Sequence, residues 1–380
     1  MSNGAPSPST WKFSIMKALI LTSKTGGGHI SLAHAVADRL APHFTSHILD
    51  PQPGIVHTHY RLVSRYALWL WAAEYKLADT PRRALLAHRV FTRLLKGRLV
   101  QTIAHEAPDV IVSVYAFFSY SIQQALRELG RRTPLVLLFS DPLDVHSAWF
   151  TVKDAELTLA PSRESYALAM AHGFDPARTL LSGWPVRSQF FNLDPEAAQQ
   201  AAAELNLEPD RMTVFLQGGG EGAARFAHTV DNLLARAAEE GQPPLQLILA
   251  VGTNKTLQHR YHGVEQCRVV PFTPHIAPYM AAADVVMGKA GPNVLFESVT
   301  LGKPFVATTF IPGQEEGNLA LIRRYGLGWV ALQPEEQAQL LSRLAKRREE
   351  LESMRRTVAD YAAWNREGNE RIRPAVQALV

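Results

Sequence analysis

The sequence predicts an α/β fold: two doubly wound, Rossmann-like parallel-sheet domains facing a central cleft. Three observations predict it. Short apolar runs of strand length alternate with stretches whose apolar residues recur at helical spacing, as in successive βαβ units. A strand, a glycine loop and a helix open this pattern twice, about 190 residues apart. Between the two series, Gly183-Trp184-Pro185-Val186-Arg187 interrupts any regular element. The 380-residue length agrees, since a domain takes roughly 100–200 residues.

The first series opens with Lys17–Ser23 as a strand. Lys24-Thr25-Gly26-Gly27-Gly28-His29 follows as a loop, and Ile30–Leu40 as a helix. Strand-like runs recur at Asp109–Val114 and Leu135–Ser140, and more weakly at Leu157–Ala160. The second series opens with Met212–Gln217, the loop Gly218-Gly219-Gly220-Glu221-Gly222 and a helix through Ala238. It continues with strands at Leu245–Val251, Arg268–Pro271, Val285–Met287 and Phe305–Thr308. This divides the chain into a disordered leader (1–15), an N-terminal domain (16–186) and a C-terminal domain (187–360). Ligands of such sheets sit beyond the C-terminal ends of the strands, where both glycine loops lie.

Composition narrows the class. Hydrophobic residues make up 47% and charged residues 19%, too apolar for intrinsic disorder. The single cysteine, Cys267, excludes an internal disulfide and a Cys-Cys zinc site, and fits a reducing compartment. No apolar run approaches the ~20 residues that span a bilayer. Met1–Thr10 is rich in Ser and Pro without an apolar stretch behind it, unlike a signal peptide. The expected location is the cytoplasm, peripheral on the inner face of the cell membrane.

The net charge of +4 is unevenly spread. Residues 1–187 hold 20 Lys and Arg against 13 Asp and Glu, whereas the remainder holds 19 against 22. The first half therefore calls for an anionic partner. Its excess concentrates in Arg61, Arg65, Lys76, Arg82, Arg83, Arg89, Arg93, Lys96 and Arg98, interleaved with aromatic residues that include Trp69 and Trp71. Such a segment suits an interfacial helix on anionic lipid, each basic residue contributing about 1 kcal/mol. The alternative is a core-packed helix with a solvated basic face. No RNA- or DNA-binding motif accompanies the charge, so nucleic acid is not an expected partner.

Four motifs carry the candidate chemistry. Gly219, Gly220 and Glu221 form a loop whose backbone N–H groups and following helix suit a phosphate; a tight packed turn is the alternative. The loop is neither a Walker A motif nor a dinucleotide fingerprint. Lys289-Ala290-Gly291-Pro292 precedes a helix that carries Glu297 about one turn in, where a carboxylate can accept from ribose hydroxyls or simply be solvated. Gln314 and Glu315, between Gly313 and Gly317, and Asn318 just after them have the amides and carboxylates that read sugar hydroxyls; an ordinary helix cap is the other reading. Asp141, His146 and Trp149 follow a strand at a cleft edge, against the alternative of a turn with a buried Trp. No Asp-X-Asp motif or Cys cluster occurs, and no bound metal or resident cofactor is expected.

Together these motifs resemble glycosyltransferase family 28, in the branch of the monogalactosyldiacylglycerol synthases and processive diacylglycerol glucosyltransferases. The resemblance covers roughly Lys17 to Val330. It rests on Gly26-Gly27-Gly28-His29, the Asp141…His146…Trp149-Phe150 stretch, Gly183–Arg187, Gly218–Gly222, Lys289–Pro292 and Pro312–Asn318. The N-acetylglucosaminyltransferase of peptidoglycan synthesis is a more distant relative. The resemblance implies a GT-B fold whose N-domain binds the lipid acceptor and docks on the membrane. The C-domain would bind a UDP-sugar, either UDP-galactose or UDP-glucose. Gly219, Gly220 and Glu221 would lie at the diphosphate, Phe272 beside the uracil and Glu297 at the ribose. Lys289, Gly291, Pro292, Gln314, Glu315 and Asn318 would complete the donor site. Gly28, Arg61, Arg65, Trp69, Trp71, Arg82, Arg83 and Trp149 would lie on the acceptor and membrane side. The last helix, in 361–380, would return to the N-domain. Where family members often have Gly-Thr after Ala-Gly-Pro, this chain has Asn293-Val294; where Thr-Asp is common, it has Ser140-Asp141.

The implied reaction is an inverting, metal-independent hexosyl transfer from a UDP-sugar to the 3-hydroxyl of diacylglycerol. His29 is the candidate base, with an ordinary pKa near 6.5. A structural or phosphate-contacting role is its alternative, and Asp141 and His146 are the other base candidates. Two rival functions share the sequence features: a UDP-sugar epimerase or hydrolase on the same fold, and a non-catalytic membrane-docking protein.

Overall fold

The computed structural model describes residues 15–24, 27–54, 56–58, 77, 79–217, 223–239 and 245–380, with side chains of all but 223–225. Gly219, Gly220, Glu221, Arg61, Arg65, Trp69, Trp71 and most of the expected leader lie outside the described residues.

Among the described residues, twelve strands form two six-stranded sheets in which every adjacent pair is parallel. The first has the order β2-β1-β3-β4-β5-β6. Its strands are β1 (Met16–Leu21), β2 (Phe44–Leu49), β3 (Val110–Ser113), β4 (Leu135–Leu138), β5 (Leu157–Ala160) and β6 (Thr179–Leu181). The second has the order β12-β11-β10-β7-β8-β9. It is built of β7 (Met212–Gln217), β8 (Leu245–Gly252), β9 (Cys267–Pro271), β10 (Val285–Lys289), β11 (Phe305–Thr309) and β12 (Gly328–Val330). The helices that position the site are α1 (Gly27–Leu40), α2 (Pro81–Glu106), α3 (Ser119–Leu129), α4 (Arg163–Ala171), α5 (Ala223–Ala237), α6 (Pro292–Thr300), α7 (Glu316–Tyr325), α8 (Arg348–Glu370) and α9 (Ile372–Gln377).

The central strands β3, β4 and β5 are buried along their whole length, as continuous apolar runs covered on both faces should be. Sequence reading passes over three strands: β2, β6 and β12. All three lie at sheet edges. Two of them are only three residues long, and β2 is interrupted by the polar run Thr45-Ser46-His47, so none shows a buried strand's apolar run. Cys267 opens β9 in the core, and burial pushes its thiol up to about 12.

Among the described residues, three apolar cores result. One lies on the α2 and α3 side of the first sheet, around Phe118, Phe139 and Trp149. One lies on the α5 side of the second sheet, around Phe226, Leu233 and Leu341. The third is shared, running from Ala18 and Ile20 through Trp184 to Phe296, Tyr361 and Ile372.

The crossover between the sheets is held by α8. Asn365 Oδ1 accepts the Trp184 N–H at 2.7 Å, and its Nδ2 donates to the Trp184 carbonyl at 3.1 Å. Asn369 Oδ1 accepts the Val186 N–H at 3.3 Å while its Nδ2 donates to the Ser182 and Trp184 carbonyls at 3.2 and 3.0 Å. Both asparagines are buried, so each bond satisfies a backbone group that water does not reach. Gly183 sits in the left-handed region with φ +64°, and a Cβ there would lie 2.7 Å from Asn365 Oδ1 and 2.8 Å from its carbonyl oxygen. After α8 the chain returns to the first sheet: α9 packs on α1, and Arg373 donates to the Ala41 carbonyl at 2.8 Å.

Gly183→Ala adds a strained φ and a clash with backbone, so it should destabilise the chain by about 2 kcal/mol or more. Thermal and urea unfolding measure this, and an unchanged midpoint would remove the packing role given to this glycine.

Candidate functional site

In each sheet the strand order reverses once, between β1 and β3 in the first and between β7 and β10 in the second. Loops leaving opposite ways at such a switch open a crevice at the C-terminal strand ends. His29 stands at the first crevice, in the opening turn of α1. The described donor-motif residues, which follow β9, β10 and β11, belong to the second sheet.

His29 is held from several directions. Its carbonyl accepts from Thr22 Oγ1 at 2.9 Å. Its ring meets the edge of Tyr115 at a centroid distance of 5.1 Å. Burial takes the imidazole down to about 4, against the opposing pull of its hydrogen bond to the Val114 backbone. The ring is therefore neutral at pH 7, with one nitrogen available to accept a proton.

The second carboxyl-bearing loop has the opposite electrostatics. Burial pushes Asp141 up to about 7, although the Trp149 side chain and the His146 backbone N–H pull the other way. His146 is buried, and its Nδ1 accepts the Ala148 N–H at 3.1 Å, capping the helical turn Ser147–Thr151. Its candidate role as base thus meets a structural one. Trp149 is a correction: it is fully buried against Phe139 and exposes nothing to an acceptor or a membrane.

The lining that sequence reading misses is aromatic. Tyr115 and Phe117 bridge His29 and His146 through edge-on and tilted ring contacts, and Phe91 stacks on Phe117 at 5.2 Å. All three rings are half-buried. The signal was present as Tyr115-Ala116-Phe117-Phe118 directly after a strand, but aromatic runs at strand ends usually mean core.

On the donor side, Gly291 precedes α6 and Pro292 begins it, where the missing N–H costs no helix bond. The Lys289 ammonium pairs with the Glu315 carboxylate, whose Oε2 accepts the Ile311 N–H at 2.7 Å. Asn318 is buried, and its Nδ2 donates to the Ala290 carbonyl at 2.7 Å, tying the two motifs together. Gln314 stands half-buried in the turn before α7. Phe272 follows β9 with 71% of its surface exposed. Glu297 is buried; burial raises its pKa while Arg187, bonded to Oε1 at 2.8 and 3.0 Å, lowers it.

The two crevices face each other across direct contacts. Asn293 Nδ2 donates to the Gly28 carbonyl at 2.8 Å, and Ser31 bonds Glu297. The Gly317 N–H at the start of α7 bonds the Asp144 carboxylate. Glu164 of α4 accepts from Arg324 at 2.8 Å and Tyr325 at 2.7 Å. Among the described residues no group of three or more His, Cys, Asp or Glu is arranged to hold a metal ion.

The basic segment is described from residue 77, apart from 78. Helix α2 buries Ala84, His88, Leu95, Leu99 and Ile103. Leu86, Val90 and Leu94 recur every four residues on the opposite side and are 62%, 50% and 54% exposed. Arg82, Arg83, Arg89 and Arg93 surround them, all exposed. The core-packed reading explains the first face and leaves the second unexplained. No described helix is long and apolar enough to cross a membrane.

Comparison with known proteins gives three findings. Residues 213–365 match the glycosyltransferase family 28 C-terminal domain. A probable monogalactosyldiacylglycerol synthase of Nicotiana tabacum is 27% identical over 361 residues, 89% of this chain and 66% of the tobacco protein. Monogalactosyldiacylglycerol synthase 2 of Arabidopsis thaliana is 26% identical, over 85% of this chain and 72% of its own. The chain thus spans about two thirds of the length of these relatives. Among solved structures, the UDP complex of Os79 from O. sativa superposes with a TM-score of 0.66 at 14% identity, covering 96% of this chain and all of that one. UDP-GlcNAc 2-epimerase of Neisseria meningitidis superposes at 0.60 with the same identity and coverages. The shared fold is GT-B, two Rossmann-like domains around a cleft.

Asp141 yields a stability test. Its carboxyl is protonated more readily folded than unfolded, so the ionised form opposes folding. That cost is absent below the unfolded value near 3.9, grows as pH rises, and is complete above about 7. Asp141→Asn should raise the unfolding midpoint at pH 8, with the gain fading toward pH 4. A gain independent of pH would contradict this.

Proposed function

We propose that this chain, which belongs to the monogalactosyldiacylglycerol synthase branch of glycosyltransferase family 28, is a UDP-sugar-dependent hexosyltransferase that moves galactose or glucose onto diacylglycerol with inversion. The observation that carries the reading is the half-buried His29 imidazole, in the turn whose Gly28 carbonyl is bonded by Asn293 of the donor motif, with desolvation holding its pKa low.

A single displacement needs a base for the acceptor hydroxyl and stabilisation of the departing diphosphate. His29 accepts the proton through the ring nitrogen that Val114 does not occupy. The glycine loop of Gly219, Gly220 and Glu221, leading into α5, meets the diphosphate as a helix N-terminus suits an anion. Phe272 stacks on the uracil, which accounts for its exposure. Glu297 accepts from the ribose while Arg187 steadies its carboxylate. Gln314 and Glu315 read the sugar, with Asn318 and Lys289 bracing their loop.

Tyr115, Phe117 and Phe91 form the apolar wall for the acyl-glycerol. The outward stripe of α2, with its arginines and the basic residues before it, docks on the anionic inner face of the cell membrane. Shallow burial of three aliphatic side chains, with arginines at headgroup level, suits a peripheral and reversible contact.

Vesicles of diacylglycerol and anionic lipid, supplied with each radiolabelled UDP-hexose, test the reaction. Transfer with one donor or both is expected. Sugar freed or isomerised without reaching the lipid would favour the hydrolase or epimerase instead. His29→Ala should lower kcat by roughly 100-fold or more with UDP affinity unchanged. The wild-type rate should fall only as pH drops through about 4, where His29 becomes protonated. A limb near 7 would move the base role to Asp141. For the membrane contact, Leu86→Ser with Leu94→Ser should weaken vesicle binding, and so should salt, as the Debye length shrinks from ~10 Å at 0.1 M to ~3 Å at 1 M. Equal binding to neutral vesicles would count against the arginines.

A further inference from the structure

We propose that Asn293 is a positioning residue: from the donor domain it fixes the backbone that carries His29, so that the base is in place only when the two domains are closed. The inference rests on the base role given to His29 above.

The restraints on His29 divide by domain. Thr22, Val114 and Tyr115 all belong to the first sheet and its loops, and they hold the carbonyl and the ring. The peptide unit on the N-terminal side of His29 has its carbonyl on Gly28. That carbonyl accepts from Asn293 Nδ2 at 2.8 Å, across 265 residues of chain. This restraint comes from α6, the helix of the donor motif. If the domains part, it is lost while the other three remain.

Asn293 is oriented for this contact by the crossover itself. Its Oδ1 accepts the indole N–H of Trp184 at 3.1 Å. An indole only donates and a backbone carbonyl only accepts, so the amide can lie only one way round. Asp would set a carboxylate oxygen against the Gly28 carbonyl. Ala would reach neither partner. Trp184 is in turn fixed by Asn365 through its backbone and stacks on Phe296 of the same α6, at 5.5 Å and 11°. The crossover, α6 and the first turn of α1 thus meet at one half-buried amide.

A packing role alone would leave the chemistry of His29 untouched, and this separates the two explanations. Asn293→Ala and Asn293→Asp are made in the full chain, alone and combined with His29→Ala. The assays measure kcat and KM for the UDP-hexose with diacylglycerol vesicles. Each single variant should lose roughly tenfold or more in kcat, with KM within about twofold, since misplacing a reacting group by ~1 Å costs on that scale. On the His29→Ala background, Asn293→Ala should change kcat by less than about twofold, because its effect passes through the base. Losses that multiply on both backgrounds, or an unchanged kcat, would overturn the proposal. Trp184→Phe keeps the stack and removes only the indole donor, and should show a smaller loss of the same kind.

A second readout needs no acceptor. Small-angle scattering of the UDP-bound chain should give a larger radius of gyration for Asn293→Ala than for wild type; equal radii would overturn the closure argument. If wild type transfers no sugar to lipid, the functional reading falls and Asn293 is judged on scattering alone.

Discussion

Two buried side-chain amides on α8 organise the rest of this molecule. Asn365 and Asn369 take up donors and acceptors along Ser182, Trp184 and Val186, the stretch that leaves one sheet for the other. Backbone buried without such partners costs ~1–3 kcal/mol per group, so the crossover has little freedom to rearrange. Its fixed path sets Trp184 on Phe296 and Arg187 on Glu297. Those contacts bring α6 against α1, and the cleft takes its shape from that meeting. A helix more than 160 residues downstream thereby determines how His29 faces the donor motif.

The two candidate bases show one physical effect with opposite signs. Burial disfavours whichever form is charged. It drives an imidazole down and a carboxylic acid up, so the proton affinities of His29 and Asp141 cross. Their usual order would make the histidine the more basic group. In this cleft the carboxyl is the more basic one, and it is partly protonated at neutral pH while the imidazole is free.

Legibility in the sequence followed burial. The central strands were readable because a parallel sheet covered on both faces demands unbroken apolar runs. β2, β6 and β12 were not, because an edge strand needs neither length nor a buried far side. The site divided similarly. Gly291, Pro292 and Glu297 sit at positions that strand-end and helix-start chemistry dictates. Trp149 went wrong because a tryptophan near a cleft looks alike in sequence whether it faces outward or packs on Phe139. Asn293 stands where the resembled family often has Gly, but its two partners lie 109 and 265 residues away, and no local pattern encodes that. The stripe of α2 is defined by contrast with the buried face opposite it, which sequence spacing alone does not orient.

Cys267 carries a practical consequence. It is the sole thiol in the chain. Buried at the head of β9 with its ionisation pushed up to about 12, it presents almost no thiolate at neutral pH. The thiolate is the form that attacks alkylating reagents, so this sulfur is close to inert toward them. The unaltered chain is therefore already a blank background for site-directed labelling. A cysteine introduced on the surface of each domain would react with maleimide dyes while the native residue stays silent, and the opening and closing of the cleft becomes a distance that fluorescence can follow.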